Sequence, residues 1–307
     1  MKSSTCVPET GSFRDSGARV FYHDGAVYRA LSRESLADWE RLAASQFHAR
    51  MRAEQKIVDS ARADELLPLL EGDPRWQAVL RHETIPFISY PYEWTFGMLR
   101  DAAILHLDLL LAALEEGLTM KDATPYNVQW RGVGPLFIDV ASFEPVRPGY
   151  PWVGYRQFCS LFLNPLMLVA YKNCAFHPWL RGSVDGIGPA IFQSLISLRD
   201  LLRPGVFSHV WLHGRFNGAA AEDICPGDGR MMVEIIRHNA RSLRRLVEEL
   251  SWRQSASQWS DYASQTPYAR EDEAAKKAFV RASLAQRRWR QVWDLGANTG
   301  TYSLHGG

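Results

Sequence analysis

Three residues with the right atoms for metal and phosphate chemistry stand in one segment, "MKDATPYNVQWRGVGPLFIDVASF": Asp122, Asn127 five positions later, and Asp139 twelve positions after that, closing an apolar run. Phosphoryl transfer from a nucleotide asks for such a set. It needs a carboxylate near the acceptor hydroxyl, and an amide oxygen and a second carboxylate on a Mg2+ that bridges the phosphates. All three are hard oxygen donors, and the segment offers no soft ligand of the zinc type. The same residue types also have purely local uses: Asp122 can cap a turn, Asn127 can bond its own loop, and Asp139 can end a strand.

A second candidate is "VWDLGANTG" (Val292 to Gly300), where an apolar run ends in Asp294 before Gly296 and Gly300. That is how a strand feeds a tight turn whose backbone amides approach a cofactor closely. A glycine-rich tail is the plain alternative, although a tail has no reason to carry the apolar lead-in. His209-Val-Trp-Leu-His213 has the i, i+4 spacing of two metal ligands on a helix, with neither a Glu nor a third ligand beside it. Ordinary hydrogen-bonded histidines are the expectation there.

The elements that must position these groups can be read from periodicity. "ARVFYHDGAVYRALS" alternates about Asp24-Gly25, which predicts a hairpin over 18–31 with a type I′ turn. Ser32 caps a helix starting at Arg33, and helix is expected to continue to about Arg62. Thr84 to Trp94 reads as a strand stopped by Pro91. From Thr95 to Glu116 one apolar stripe predicts a long buried helix with Gly117 as its stop. Two short strands, "YNVQWRG" and "PLFIDVA", follow, and helices are expected near 152–172, 188–202, 229–250 and 272–288. The greasy stretch Phe158 to Tyr171 is shorter than a bilayer span and is expected to be a buried helix, broken or kinked at Pro165.

Composition bounds the partners. Among 307 residues, 35 Lys and Arg oppose 34 Asp and Glu, so no electrostatic case exists for nucleic acid or an anionic membrane. The four cysteines form no Cys-x-x-Cys pair, which argues against a zinc ribbon or a disulfide framework. A polar N-terminus without an apolar core gives no signal peptide, and a cytoplasmic location is expected.

The central segment resembles the catalytic loop of the kinase-like superfamily, of the aminoglycoside-phosphotransferase type. The resemblance implies that Asp122 matches the catalytic carboxylate, that Asn127 and Asp139 match the metal-binding pair, and that Arg29 in "AVYRAL" stands where a lysine holds the nucleotide, with Mg-ATP as the cofactor. Departures are visible. No glycine-rich phosphate loop is recognisable, Arg29 replaces lysine, Lys121 precedes Asp122, and Val140-Ala141 follow Asp139. They predict little ATP turnover.

"VWDLGANTG" resembles motif I of class I S-adenosylmethionine-dependent methyltransferases, which implies Asp294, Gly296, Asn298 and Gly300 as cofactor-binding positions. "YPYEWTF", "KDATPYNVQW", "FIDVASFE" and "PWVGYRQFC" with that motif resemble a bacterial family in which a kinase-like part precedes a methyltransferase domain, related to rhizobial nodulation proteins. The expected fold is α+β: a two-lobed kinase-like unit with a largely helical C-terminal lobe, ending in the first strand of a truncated Rossmann-like domain. The expected organisation is a flexible 1–17, a small lobe 18–93, a large lobe 94–251, a linker and helix 252–290 and a methyltransferase remnant 291–307. S-adenosylmethionine is the cofactor of the fuller family, and the chain as given is not expected to bind it. The expected role is recognition of a small-molecule or glycan-like substrate, or regulation. A Mg-ATP-dependent small-molecule phosphotransferase and a pseudokinase-like interaction module are the rivals.

Overall fold

The structure is a computed structural model that describes residues 6–12, 15–70, 72–212, 229–252, 270–289, 292, 294–297 and 300–303. The chain divides into two compact units, Met1–Trp252 and Arg253–Gly307.

In the first unit, strands Val7–Pro8 (β1), Ala18–His23 (β2), Ala26–Leu31 (β3), Ser60–Arg62 (β4) and Ala78–His82 (β5) form an antiparallel sheet in the order β1-β2-β3-β5-β4. The predicted hairpin is present, and its turn residues Asp24 and Gly25 have φ of 47° and 75°, the left-handed pair that a type I′ turn requires. Alternation along the strands splits the sheet into two faces. Phe21, Tyr28, Ala30 and Val79 build a small core on one face, while Leu31, Ala78 and Leu80 join the main core on the other. Arg29 lies opposite Leu80 and two residues from Leu31, so it belongs to the face turned toward the main core.

Helix α1 (Arg33–Ala44) starts where expected, with Ser32 Oγ accepting from Ser35 N at 3.3 Å. Helix α2 (Gln46–Ala53) then ends well before Arg62. Gln55 takes φ 57°, and the buried Ile57 and Val58 draw the chain alongside Phe137, with Val58 N donating to Phe137 O at 2.9 Å. The demand of two apolar side chains for the core outweighs helical propensity here. Thr84 to Trp94 is not the expected strand either. The strand is β5, just upstream, and the later segment contains Pro86 and Pro91, which have no N–H to give a ladder. Its Ser89 is held instead by the buried Gln129, whose carboxamide takes Ser89 N–H at 3.0 Å and donates to Ser89 O at 3.0 Å.

Helix α3 (Phe96–Glu115) is the axis of the unit. Thr95 caps it, Gly117 at φ 73° ends it, and Leu99, Leu105, Leu107, Leu109 and Leu110 are buried on almost all sides. Around it lie two small ribbons, Leu118–Met120 (β6) paired with Phe143–Pro145 (β9), and Val128–Arg131 (β7) paired with Gly134–Phe137 (β8). The greasy stretch forms α4 (Tyr155–Phe158), a π-helical turn at Cys159–Leu163 and α5 (Asn164–Lys172). The widened turn sits just before Pro165, whose missing N–H cannot continue an α-helical ladder. Short helices α6 (His177–Gly182) and α7 (Pro189–Leu195) follow, with a 3-10 turn at Leu198–Leu202. Helix α8 (Gly229–Glu249) packs Ala240, Leu243 and Val247 against α3, and Arg244 Nε reaches Asp108 Oδ1 at 2.6 Å. In the second unit, helix α9 (Arg270–Ala285) carries exposed side chains such as Phe279, and Trp289 Nε1 donates to Leu284 O at 3.1 Å. Among the described residues, no helix is long and apolar enough to cross a membrane.

His106 in α3 is fully buried, with the rings of Phe137, Trp152, Phe158 and Phe162 centred about it at 5.8 to 6.0 Å and no hydrogen-bond partner for either nitrogen. Burial pushes its pKa down to about 3. Burial, then the Arg29 charge, brings His82 to about 3, and burial, then Arg52, brings His48 to about 4. The unfolded chain therefore binds protons that the folded chain refuses, between about pH 4 and the ordinary histidine value near 6.5. Stability is full above pH 6.5 and falls as the pH drops, by up to about 1.4 kcal/mol per pH unit for each histidine. Urea unfolding between pH 5 and 7.5 should show this slope. His106→Phe should remove one proton's share of it while raising stability at pH 7.5 by about 1 kcal/mol; an unchanged slope would refute the assignment.

Candidate functional site

Asp122 leaves β6 on a loop whose backbone is fixed from outside. Three consecutive N–H groups find distant partners: Lys121 N donates to Ser142 O at 2.9 Å, Asp122 N to Ser142 Oγ at 3.2 Å, and Ala123 N to Gln157 Oε1 at 2.6 Å. Asn127 ends the 3-10 turn Pro125–Asn127 that opens β7, and its carbonyl accepts from Ile138 N at 2.9 Å. The chain leaving β8 is thereby held beside Asn127, and Asp139 comes to lie against it.

The structure thus brings Arg29, Asn127 and Asp139 into direct contact. Asn127 Nδ2 donates to Asp139 Oδ2 at 3.1 Å, and the Arg29 guanidinium forms an ion pair and hydrogen bond with Asp139 Oδ1. The pair is mostly shielded from water, with side-chain exposures of 11% and 17%. Asp122 is the neighbouring carboxylate. Burial, and then the charge of Asp139, hold its pKa above the usual carboxylate value, against the opposing pull of Lys121. Lys121 is itself 3.7 Å from Asp15. Among the described residues, no donor reaches the Asp122 carboxylate, and its oxygens are not among the buried unpartnered atoms, so they face accessible space. The site therefore holds one satisfied carboxylate, Asp139, and one open one, Asp122.

This arrangement bears on Mg2+. Both Asp139 oxygens are engaged, one by a guanidinium and one by an amide N–H, and Asn127 presents its nitrogen rather than its oxygen to Asp139. A hard cation needs oxygen lone pairs, so at Asp139 it would compete with the Arg29 charge and would need the Asn127 amide turned to present its oxygen. Among the described residues, no group of three or more His, Cys, Asp or Glu could hold a metal ion.

His209 lies in a π-helical turn, Val206–Leu212, with Nδ1 2.7 Å from Tyr155 OH, and His213 falls outside the described residues. In the second unit, Asp294 Oδ2 accepts from Ser303 Oγ at 2.7 Å. Gly296 and Gly300 both have φ 74°, and a Cβ at Gly296 would meet nothing within 4 Å, so no cradle closes on it. Asn298 lies outside the described residues. Among the described residues, Val292 and Asp294 form no strand. The sequence reading missed Ser142 and Gln157. Gln157 sits in "YRQFC", where a lone amide inside an aromatic, apolar run was the available signal.

No protein-family model matches the chain. Over 304 residues, 95% of this chain, it is 34% identical to the nodulation protein NoeA of Rhizobium meliloti (strain 1021), and the chain spans 62% of that relative's length. Among solved structures, the chain is similar to the kinase domain of PknI from Mycobacterium tuberculosis, at 16% identity and a TM-score of 0.33, over 77% of this chain and 96% of that one. It is also similar to vaccinia related kinase 3, at 10% identity and a TM-score of 0.39, over 80% and 92% of the two chains.

Removing one partner of a shielded ion pair strands the other charge. Arg29→Met should destabilise the protein by about 3 kcal/mol in urea unfolding at pH 7.5, and Arg29→Met with Asp139→Asn should recover most of that loss. Equal losses in the single and double variants would mean that the pair is not the partnership described.

Proposed function

We propose that the first unit is a kinase-like ligand-binding module, in which Asp122 receives a polar group of a small molecule and Asp139 does not serve as a metal ligand. The observation that carries this reading is the double engagement of Asp139 by Arg29 and Asn127. The kinase-like assignment is supported by element order. Arg29 lies on β3 of an antiparallel sheet, a linker outside the sheet leads to the long α3, and a loop and a hairpin then bring Asp122, Asn127 and Asp139 together. The similarity to a nodulation protein supports membership of a polypeptide with that biology. Within the same reading, the glycine motif from Asp294 to Gly300 relates the chain to methyltransferases, and substrate recognition for such an activity is the role we assign to the first unit.

One observation favours a second reading, a small-molecule phosphotransferase. Asp122 has a raised pKa and an unengaged carboxylate, which suits a group that takes a proton from an acceptor hydroxyl. The two readings part on the metal. Thermal unfolding with ATP, with and without Mg2+, should show no Mg2+-dependent stabilisation of the wild type. A stabilisation that needs Mg2+ and disappears in Asp139→Ala would establish the phosphotransferase reading instead.

A further inference from the structure

Helix α8 and the π-helical turn Val206–Leu212 meet at one end and part at the other. They meet at Gly205, which has φ 75° and where a Cβ would overlap the side chain of Leu246, so only glycine fits the approach. Toward the start of α8 the two elements border an open groove of about 590 Å3, with Ser208 and His209 on one wall and α8 on the other. His209 is buried, and its Nδ1 lies 2.7 Å from Tyr155 OH, so that wall holds an anchored side chain. On α8 the lining residues fall at i+3, i+4, i+7, i+8 and i+11 from Met231, one face of the helix over about 16 Å.

This face is polarised along its length. Met231 and Ile235, both more than half exposed, make an apolar end. His238, Asn239 and Ser242 make a polar end, and Arg245 follows one turn beyond Ser242 on the same face. Glu234 also lines the groove, with its charge paired to Arg237. Arg245 and the exposed Arg241, by contrast, form no ion pair among the described residues. Exposed apolar side chains in a concave surface mark a binding site, and the volume decides its kind. A partner helix about 10 Å across and 16 Å long would take roughly twice this space, while pockets of about 300–1,000 Å3 hold small molecules.

We propose that the groove is a binding site for a single-chain amphiphilic carboxylate, with the alkyl chain on Met231 and Ile235 and the head at His238, Ser242 and Arg245. A carboxylate only accepts hydrogen bonds, and the Asn239 amide, the Ser242 hydroxyl and the Arg245 guanidinium all have N–H or O–H groups to give. An alcohol head leaves the arginine charge unanswered, and an ammonium head meets it with like charge. The groove shares no lining residue with the Asp122 cluster, so its ligand is independent of what Asp122 receives.

Isothermal titration of the full chain at pH 7.5 with decanoate, decan-1-ol and decylamine, each below the concentration at which it aggregates, tests the assignment. The wild type should bind decanoate about fivefold more tightly than decan-1-ol, and decylamine more weakly than either. Shortening decanoate to octanoate should weaken binding by about tenfold, because two methylenes leave the apolar end. Ile235→Asp should abolish binding of decanoate, with Met231→Asp as a second lesion at the same end. Arg245→Glu should erase the advantage of decanoate over decan-1-ol. All three side chains are exposed, so the thermal unfolding midpoints should stay close to wild type. A wild type that binds no decanoate, or that binds decylamine as well as decanoate, would overturn the assignment, and so would decanoate binding that survives both Ile235→Asp and Met231→Asp.

Discussion

Two carboxylates placed side by side out of bulk water cannot both stay charged unless a cation or donors compensate one of them. In this protein the compensation is internal. The guanidinium of Arg29 and the amide of Asn127 satisfy Asp139, and Asp122 is left with a raised pKa and an open carboxylate. A shielded ion pair contributes little net stability once desolvation is counted, but breaking it is costly, so it fixes geometry more than it lowers free energy. It ties the sheet face bearing β3 to the segment leaving β8, and the two halves of the first unit are held at the point where the candidate chemistry sits.

The rest of the fold serves that point. The long α3, buried nearly all round, carries a layer in which Phe137, two residues before Asp139, packs against His106 and Phe143. Phe137 also pairs through its backbone with Lys56 and Val58, so the strand that delivers Asp139 is clamped from two sides. The loop bearing Asp122 is held by hydrogen bonds that its backbone N–H groups donate to Ser142 and Gln157.

The hairpin about Asp24-Gly25, the capped start of α1, the whole of α3 and the interruption of the helix before Pro165 were legible in the sequence, because local chemistry alone determines each. The residues 54–62 were not, because Ile57 and Val58 answer to Phe137, a partner eighty positions away. The strand expected at Thr84 to Trp94 failed for a related reason: β-branched and aromatic content marks a segment that can be buried, while its prolines and the Gln129 carboxamide decide that it does not pair. In the site, Arg29, Asn127 and Asp139, each named from the sequence, meet at the Asp139 carboxylate. Spacing could not tell that Arg29 would bind Asp139 itself, nor that Gln157 would bond the loop, since both contacts depend on how separate elements meet.

The central claim is that Asp139 takes its compensating charge from Arg29 and not from a metal ion. Mn2+ binding followed by electron paramagnetic resonance tests it most directly. The account predicts that the wild-type chain leaves the spectrum of free Mn2+ unchanged at millimolar metal. A stoichiometric Mn2+ site in the wild type that vanishes in Asp139→Asn would contradict it.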